Sequence, residues 1–115
     1  MDFSINQKVL ENDVVLINVS GYLDAHTFEE LEESITNLFK TKVYKIVVDL
    51  SGVEYISSAG AGVFIGALST AQENSGNIVL LNPTANVREV FDLLGLTQIF
   101  SVVENQEQAV AALAG

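Results

Sequence analysis

Cysteine and tryptophan are absent from the sequence, and proline, methionine and histidine occur once each. Without cysteine the chain can form neither a disulfide bond nor a thiolate metal site. The single histidine, His26, and the scattered carboxylates provide no converging set of ligands, so we expect no bound metal. We also expect no cofactor, because Gly60-Ala61-Gly62 lacks both the lysine of a phosphate-binding loop and the full glycine pattern of a dinucleotide site.

Positive charge is also scarce. The chain has 5 Lys and Arg residues against 15 Asp and Glu residues, which gives a net charge of −10. Nucleic-acid phosphates and anionic membrane surfaces attract clustered Lys and Arg, so the composition argues against nucleic-acid binding and against membrane binding. It favours attraction to a basic protein surface.

No secretory signal pattern stands at the N-terminus, and we therefore expect a cytoplasmic protein. The 115 residues are 49% hydrophobic and 17% charged, which is typical of one globular domain, placed over residues 1–115. One uncharged run, Tyr55–Gln72, has 18 residues, the length at which a transmembrane helix must be considered. Because the run includes three glycines and five Ser, Thr and Gln residues, it predicts a buried or docking helix instead of membrane insertion.

Hydrophobic periodicity divides the chain into strands and helices. The predicted strands are Phe3–Leu10, Val14–Ser20, Lys45–Leu50, Asn77–Leu81 and Gln98–Val103. The predicted helices follow Thr27, span 57–73, follow Thr84 and span Gln106–Leu113. A loop is expected at residues 21–24, and a capping box at Thr27 and Glu30. The order β-β-α-β-α-β-α-β-α predicts a single α/β domain with a mixed, mainly parallel sheet and helices packed on it.

The stretch ISSAGAG, residues 56–62, opens the helix at 57–73 with two serines followed by small residues. One serine is expected to cap the helix by accepting a hydrogen bond from a backbone N–H. The helix has no charged face, which favours either close packing on the sheet or an outer surface that contacts another protein. A phosphate on such a serine would add roughly −1.5 to −2 charges beside a helix N-terminus, where the dipole tolerates them.

Catalysis by a serine nucleophile is the enzymatic alternative. A hydrolase elbow needs glycine two residues before the serine, but Ile56 stands there relative to Ser58. Asp24, His26 and Ser58 could be drawn as a triad, although their spacing does not support one. We therefore expect a binding protein and not an enzyme. A small esterase would lose its activity toward acyl esters on Ser58→Ala.

Three segments resemble the STAS domain family of anti-sigma-factor antagonists, and the resemblance covers essentially the whole chain. The first is DLSGVEYISSAGAGVFIGAL, residues 49–68, which follows KIVV. The second is GYLD with His26 and Thr27, and the third is VFDLLGL with Ile99 and Phe100. The sequence departs from the family pattern at two positions, because an Asp usual in the family is Ser57 here and a usual Leu is Ala61.

The resemblance implies a phosphorylation switch. In this family an anti-sigma factor that is also a serine kinase phosphorylates the serine at the helix start. Phosphorylation blocks binding, and a phosphoserine phosphatase restores it. By position the acceptor here is Ser58, with Ser57 as the second choice. The partner-binding residues expected at this surface are Asp24, His26, Ser57, Ser58, Ala59, Gly60, Ala61 and Gly62.

The expected function is therefore to bind an anti-sigma factor and so release a sigma factor. The small residues that follow Ser58 are expected to allow close approach of the partner, and Asp24 to attract its basic surface. The alternative is a STAS accessory subunit of a membrane transport complex, which would dock without phosphorylation. Incubation with a candidate kinase and ATP distinguishes the two.

Overall fold

The computed structural model describes residues 2–114. Its sheet begins with a hairpin in which β1 (Ser4–Val9) pairs antiparallel with β2 (Val15–Leu23). The turn contains Asn12 and Asp13, whose backbone angles are left-handed with φ of 61° and 62°. Asn and Asp tolerate this region better than most other residues, which explains why the chain reverses at this point.

Helices and strands alternate after the hairpin. The elements are α1 (Phe28–Lys40), β3 (Lys45–Ile56), α2 (Ser58–Glu73), β4 (Asn77–Leu81), α3 (Ala85–Leu93), β5 (Ser101–Val103) and α4 (Gln106–Leu113). The strand order is β1-β2-β3-β4-β5, and every neighbouring pair from β2 to β5 is parallel. The predicted fold class, a mixed and mainly parallel sheet with helices packed on it, is confirmed.

The two faces of the sheet are buried against different helices. Alternate side chains of a strand point to opposite faces. Ile17 and Val19 of β2 therefore join the larger core, which includes residues of α1, α2 and α3. Val14 and Leu16 join a smaller core that is closed by α4.

Phe64 holds α2 in one orientation on the sheet. Its side chain is fully buried, and its ring meets Phe91 of α3 edge-on at a centroid distance of 5.8 Å and Phe100 at 6.3 Å. Such aromatic pairs contribute about 0.5–1.5 kcal/mol beyond the area that they bury. The inner face of α2 is thereby fixed, which determines which of its residues face solvent.

Two predicted helix starts are confirmed. Thr84 Oγ1 accepts a hydrogen bond from the Val87 N–H at 3.4 Å, and Asn105 Oδ1 accepts one from the Gln108 N–H at 2.9 Å. Each bond satisfies one of the backbone N–H groups that a helix leaves without a partner in its first turn.

The predicted boundaries are wrong where β2 and β3 end. Residues 21–23 belong to β2 and do not form a loop, and β3 continues past Leu50 to Ile56. The pairing of β2 with β3 has two register irregularities here, and Gly21 adopts φ 100°. Leu50, Val53 and Ile56 of β3 all join the larger core at a spacing of three residues, so the irregularities break the two-residue alternation of this strand. In β2 the pattern predicts an early end because Gly21 and Asp24 are residue types that typically mark turns.

The predicted strand Gln98–Val103 is also shorter in the structure. Gly95, with φ 75°, ends the α3 region, and Leu96–Gln98 form a 3₁₀ helix before β5 begins at Ser101. No helix among residues 2–114 is long and apolar enough to cross a bilayer.

Candidate functional site

The strands β2 and β3 end side by side, and α2 begins directly after β3. Leu23 and Ile56 are register partners at these ends. The Ser57 N–H donates a hydrogen bond to the Leu23 carbonyl oxygen at 2.9 Å, which ties the start of α2 to the end of β2. Asp24 follows Leu23, so the structure brings Asp24 and the two serines to the same edge of the sheet.

Ser57 caps α2. Its backbone is extended, with φ −95° and ψ 171°, and its Oγ accepts a hydrogen bond from the Gly60 N–H at 3.2 Å. The side chain is half-buried. The Ser57 hydroxyl therefore already has a structural role, which replacement of the capping residue by alanine would remove at a cost of about 1 kcal/mol.

Ser58 differs from its neighbour. It is the first residue of α2 and is exposed, and no hydrogen bond among residues 2–114 engages its hydroxyl. The first turn of α2 contains no acidic residue. No carboxylate of α2 itself therefore neutralises the positive end of the helix dipole. The fold leaves this hydroxyl accessible at a place that tolerates added negative charge.

Gly60 and Ala61 were expected on the partner-binding surface, but the structure buries them. Both residues are buried, and Ala61 is 1% exposed. A Cβ atom at Gly60 would lie 2.6 Å from the Leu23 carbonyl oxygen. Gly60 thus permits close approach of α2 to the chain's own β2, and Ala61 packs in the larger core, so neither residue lies on the exposed surface. Ala59 and Gly62 are exposed and remain available for one.

Asp24 and His26 lie in a short ordered turn. Asp24 Oδ1 accepts a hydrogen bond from the His26 N–H at 2.9 Å, and the Asp24 N–H donates to Thr27 Oγ1 at 3.0 Å. The Thr27 hydroxyl in turn donates to the Tyr22 carbonyl oxygen at 2.7 Å. The predicted capping box with Glu30 is therefore wrong, because the Thr27 side chain caps this turn and not α1. Asp24 is half-buried and His26 is exposed.

The outer face of α2 carries several small side chains and one charged residue. Its exposed residues beyond Ser58 are Ala59, Gly62, Ile65, Gly66, Ser69, Gln72 and Glu73, of which only the last carries charge. A Cβ atom at Gly62 or Gly66 would have no neighbour within 4 Å. The two glycines leave an open groove of about 410 Å³ between α1 and α2, lined also by Glu32, Ile35, Thr36, Phe39, Val63, Ala67 and Thr70.

Comparison with known families gives a match over residues 5–109 to the STAS domain. The chain belongs to the STAS domain family. The resemblance found in the three sequence segments is thereby confirmed.

Several related STAS proteins are named as anti-sigma factor antagonists. The chain is 30% identical over 101 residues to the anti-sigma-B factor antagonist of Staphylococcus epidermidis, covering 88% of this chain and 94% of that protein. It superimposes on the anti-sigma factor antagonist SpoIIAA in its unphosphorylated form with a TM-score of 0.81 at 25% identity, covering 97% and 100% of the two chains. The phosphorylated form of the Bacillus cell fate determinant SpoIIAA gives a TM-score of 0.75 at 24% identity, covering 95% and 98%.

Sequence reasoning missed two aromatic residues beside the site of this STAS domain. Tyr22 and Tyr55 are register partners, and their ring centroids lie 5.9 Å apart with an interplanar angle of 60°. Their side chains are 48% and 51% exposed. Both residues fall where the predicted strands stopped too early, so the sequence pattern did not place them side by side. A signal was still available, because Tyr22 lies within GYLD and Tyr55 directly precedes ISSAGAG.

Proposed function

We propose that this chain is an anti-sigma factor antagonist that is switched by phosphorylation of Ser58. The unphosphorylated chain binds an anti-sigma factor that is also a serine kinase, and the sigma factor is released. Phosphorylation blocks this binding, and a phosphoserine phosphatase restores it. The single observation that carries the proposal is the contrast between the exposed, unengaged Ser58 hydroxyl and the Ser57 hydroxyl, which caps the helix.

Two relatives support the proposal. The Staphylococcus epidermidis protein is named for antagonism of an anti-sigma factor, and this chain covers nearly its whole length. SpoIIAA is described as an anti-sigma factor antagonist, and its fold is known in unphosphorylated and phosphorylated forms. A protein of this fold can therefore carry a phosphate and keep its architecture.

The chemistry of the site explains how a phosphate would act. It adds roughly −1.5 to −2 charges and three strong hydrogen-bond acceptors. At the start of α2 the charge meets the positive end of the helix dipole, so the fold itself is not destabilised. A partner packed against Ser58 and Ala59 would instead have to accommodate a bulky anion and strip it of water, which is costly. The switch therefore acts on binding and leaves folding unchanged.

The chain itself performs no catalytic step in this scheme. The kinase supplies ATP and the catalytic groups, and this chain supplies the accepting hydroxyl. Ser58 lies in the first turn of α2. The Asp24 carboxylate accepts a hydrogen bond from the His26 backbone N–H, so its recorded role is structural. We propose accordingly a cytoplasmic, non-enzymatic partner of a kinase, with Asp24, His26, Ser58, Ala59 and Gly62 on the contact surface.

The test is phosphorylation by the anti-sigma factor kinase and ATP, with the modified residue located by tandem mass spectrometry. We expect one phosphate on the wild-type chain and on Ser57→Ala, and none on Ser58→Ala. Modification of Ser57, or no modification together with co-purification of transport subunits, would overturn the proposal. The second outcome would identify the accessory subunit of a transport complex.

A further inference from the structure

Tyr22 and Tyr55 form a half-exposed aromatic pair outside both buried cores. Neither side chain belongs to the two buried core clusters, and about half of each is exposed to solvent. Tyrosine is a residue that proteins use to anchor interfaces, since it offers a large rigid surface at a small cost in conformational entropy. We call this pair the tyrosine ledge.

The ledge adjoins the proposed switch but faces away from the larger core. Val19 and Leu23, at even spacing along β2, both belong to that core, so Tyr22 points to the opposite face of the sheet, and its register partner Tyr55 lies beside it there. The helix on that face does not cover them. The buried cluster at α4 consists of Val14, Leu16, Val47, Val79, Leu81, Ala109 and Leu113. The ledge is therefore open beside the start of α2.

Basic residues collect at the other end of the sheet. Lys45 begins β3, and Lys40 and Lys42 lie just before it, at the amino-terminal end of the parallel strands. Lys8 lies at the same end, because β1 is antiparallel and Lys8 pairs with Leu16. Four of the five Lys and Arg residues of the chain thus lie away from the ledge.

Acidic residues lie at the same end of the sheet as the ledge. Asp24 lies two residues after Tyr22, and Glu54 immediately precedes Tyr55. Glu29 and Glu30 lie in the first turn of α1, which begins at this same end of the sheet. Aromatic ring faces surrounded by carboxylates attract cations and repel anions.

We propose that the tyrosine ledge binds an arginine side chain of the anti-sigma factor. The guanidinium group lies against the exposed ring faces of Tyr22 and Tyr55, while Asp24 and Glu54 supply compensating negative charge. A planar guanidinium stacks on aromatic rings and is more weakly hydrated than an ammonium group, which favours arginine over lysine at this position. The inference rests on the proposed function and names the chemistry of the partner at the same edge of the molecule.

The experiment compares leucine and phenylalanine substitutions at both tyrosines. Calorimetric titration with the anti-sigma factor is run on wild type, Tyr22→Leu, Tyr55→Leu, the double leucine variant and the double phenylalanine variant. Leucine keeps an apolar side chain but removes the ring, so each single change is expected to weaken binding about two- to fivefold and the double change about tenfold or more. The double phenylalanine variant keeps both rings and is expected to bind within about twofold of wild type.

A substitution series on the partner identifies the bound group. Each arginine of the anti-sigma factor is changed to lysine and to alanine, and one of them is expected to lose its effect on affinity when the ledge carries two leucines. The outcomes separate the two proposals. Wild type that does not bind overturns the proposed function and the ledge together. Wild type that binds, with unaltered affinity of the leucine variants or with no arginine coupled to the ledge, overturns the ledge alone.

Discussion

Glycine occurs on both the inner and the outer face of α2, but only the glycine on the inner face is closely packed. At Gly60, on the inner face, a Cβ atom would lie 2.6 Å from the Leu23 carbonyl oxygen and 2.9 Å from Leu23 Cγ. At Gly62 and Gly66, on the outer face, it would meet nothing within 4 Å. Glycine inside a helix costs about 1 kcal/mol relative to alanine. Packing within the chain offsets this cost at Gly60 but offers no offset at Gly62 or Gly66.

The largest effect on stability is expected from Gly60→Ala. The added methyl group overlaps backbone atoms of β2, which cannot swing aside as a flexible side chain can, so the strand or the helix must shift. Overpacking of this kind costs about 1–3 kcal/mol. Urea unfolding followed by circular dichroism measures the loss. A variant as stable as wild type would show that the contact between α2 and Leu23 is looser than the structure has it.

Gly62→Ala and Gly66→Ala are expected to increase the stability of the fold. Each substitution gains about 1 kcal/mol of helix propensity without a clash, so the same urea titration should show increased stability. Binding to the anti-sigma factor should weaken for Gly62→Ala, because its methyl group would stand on the proposed contact surface. A stabilised Gly62→Ala variant that binds as tightly as wild type would show that Gly62 lies outside the binding surface.

Ser57 and Ser58 also differ in how much each side chain is expected to stabilise the fold, although by less than the glycines do. Ser57→Ala removes the hydrogen bond to the Gly60 N–H and should lower stability by about 1 kcal/mol. Ser58→Ala removes an exposed hydroxyl without an internal partner, and a change within about 0.5 kcal/mol is expected. Thermal unfolding of the two variants side by side provides the measurement. Equal losses would mean that both hydroxyls support the fold, and the assignment of Ser58 as a free acceptor would fail.

Much of the fold was predictable because local chemistry agrees with the global arrangement. The start of α4 was predictable from Asn105, because asparagine commonly caps helices and its side chain does so here. The site was only partly predictable. Nothing in ISSAGAG tells Gly60 from Gly62, because the difference depends on which face of α2 meets Leu23. The alignment of Tyr22 with Tyr55 depends on register irregularities between β2 and β3, which a periodic pattern cannot reveal.

In the proposed switch, charge at Ser58 closes the binding surface without disturbing the fold. Its most direct test is the affinity of the anti-sigma factor for Ser58→Asp beside Ser58→Asn, two side chains of nearly equal size that differ in charge. We expect Ser58→Asp to lose binding, Ser58→Asn to keep most of it, and both variants to unfold at nearly the wild-type temperature. Wild-type affinity in Ser58→Asp would contradict the proposed switch.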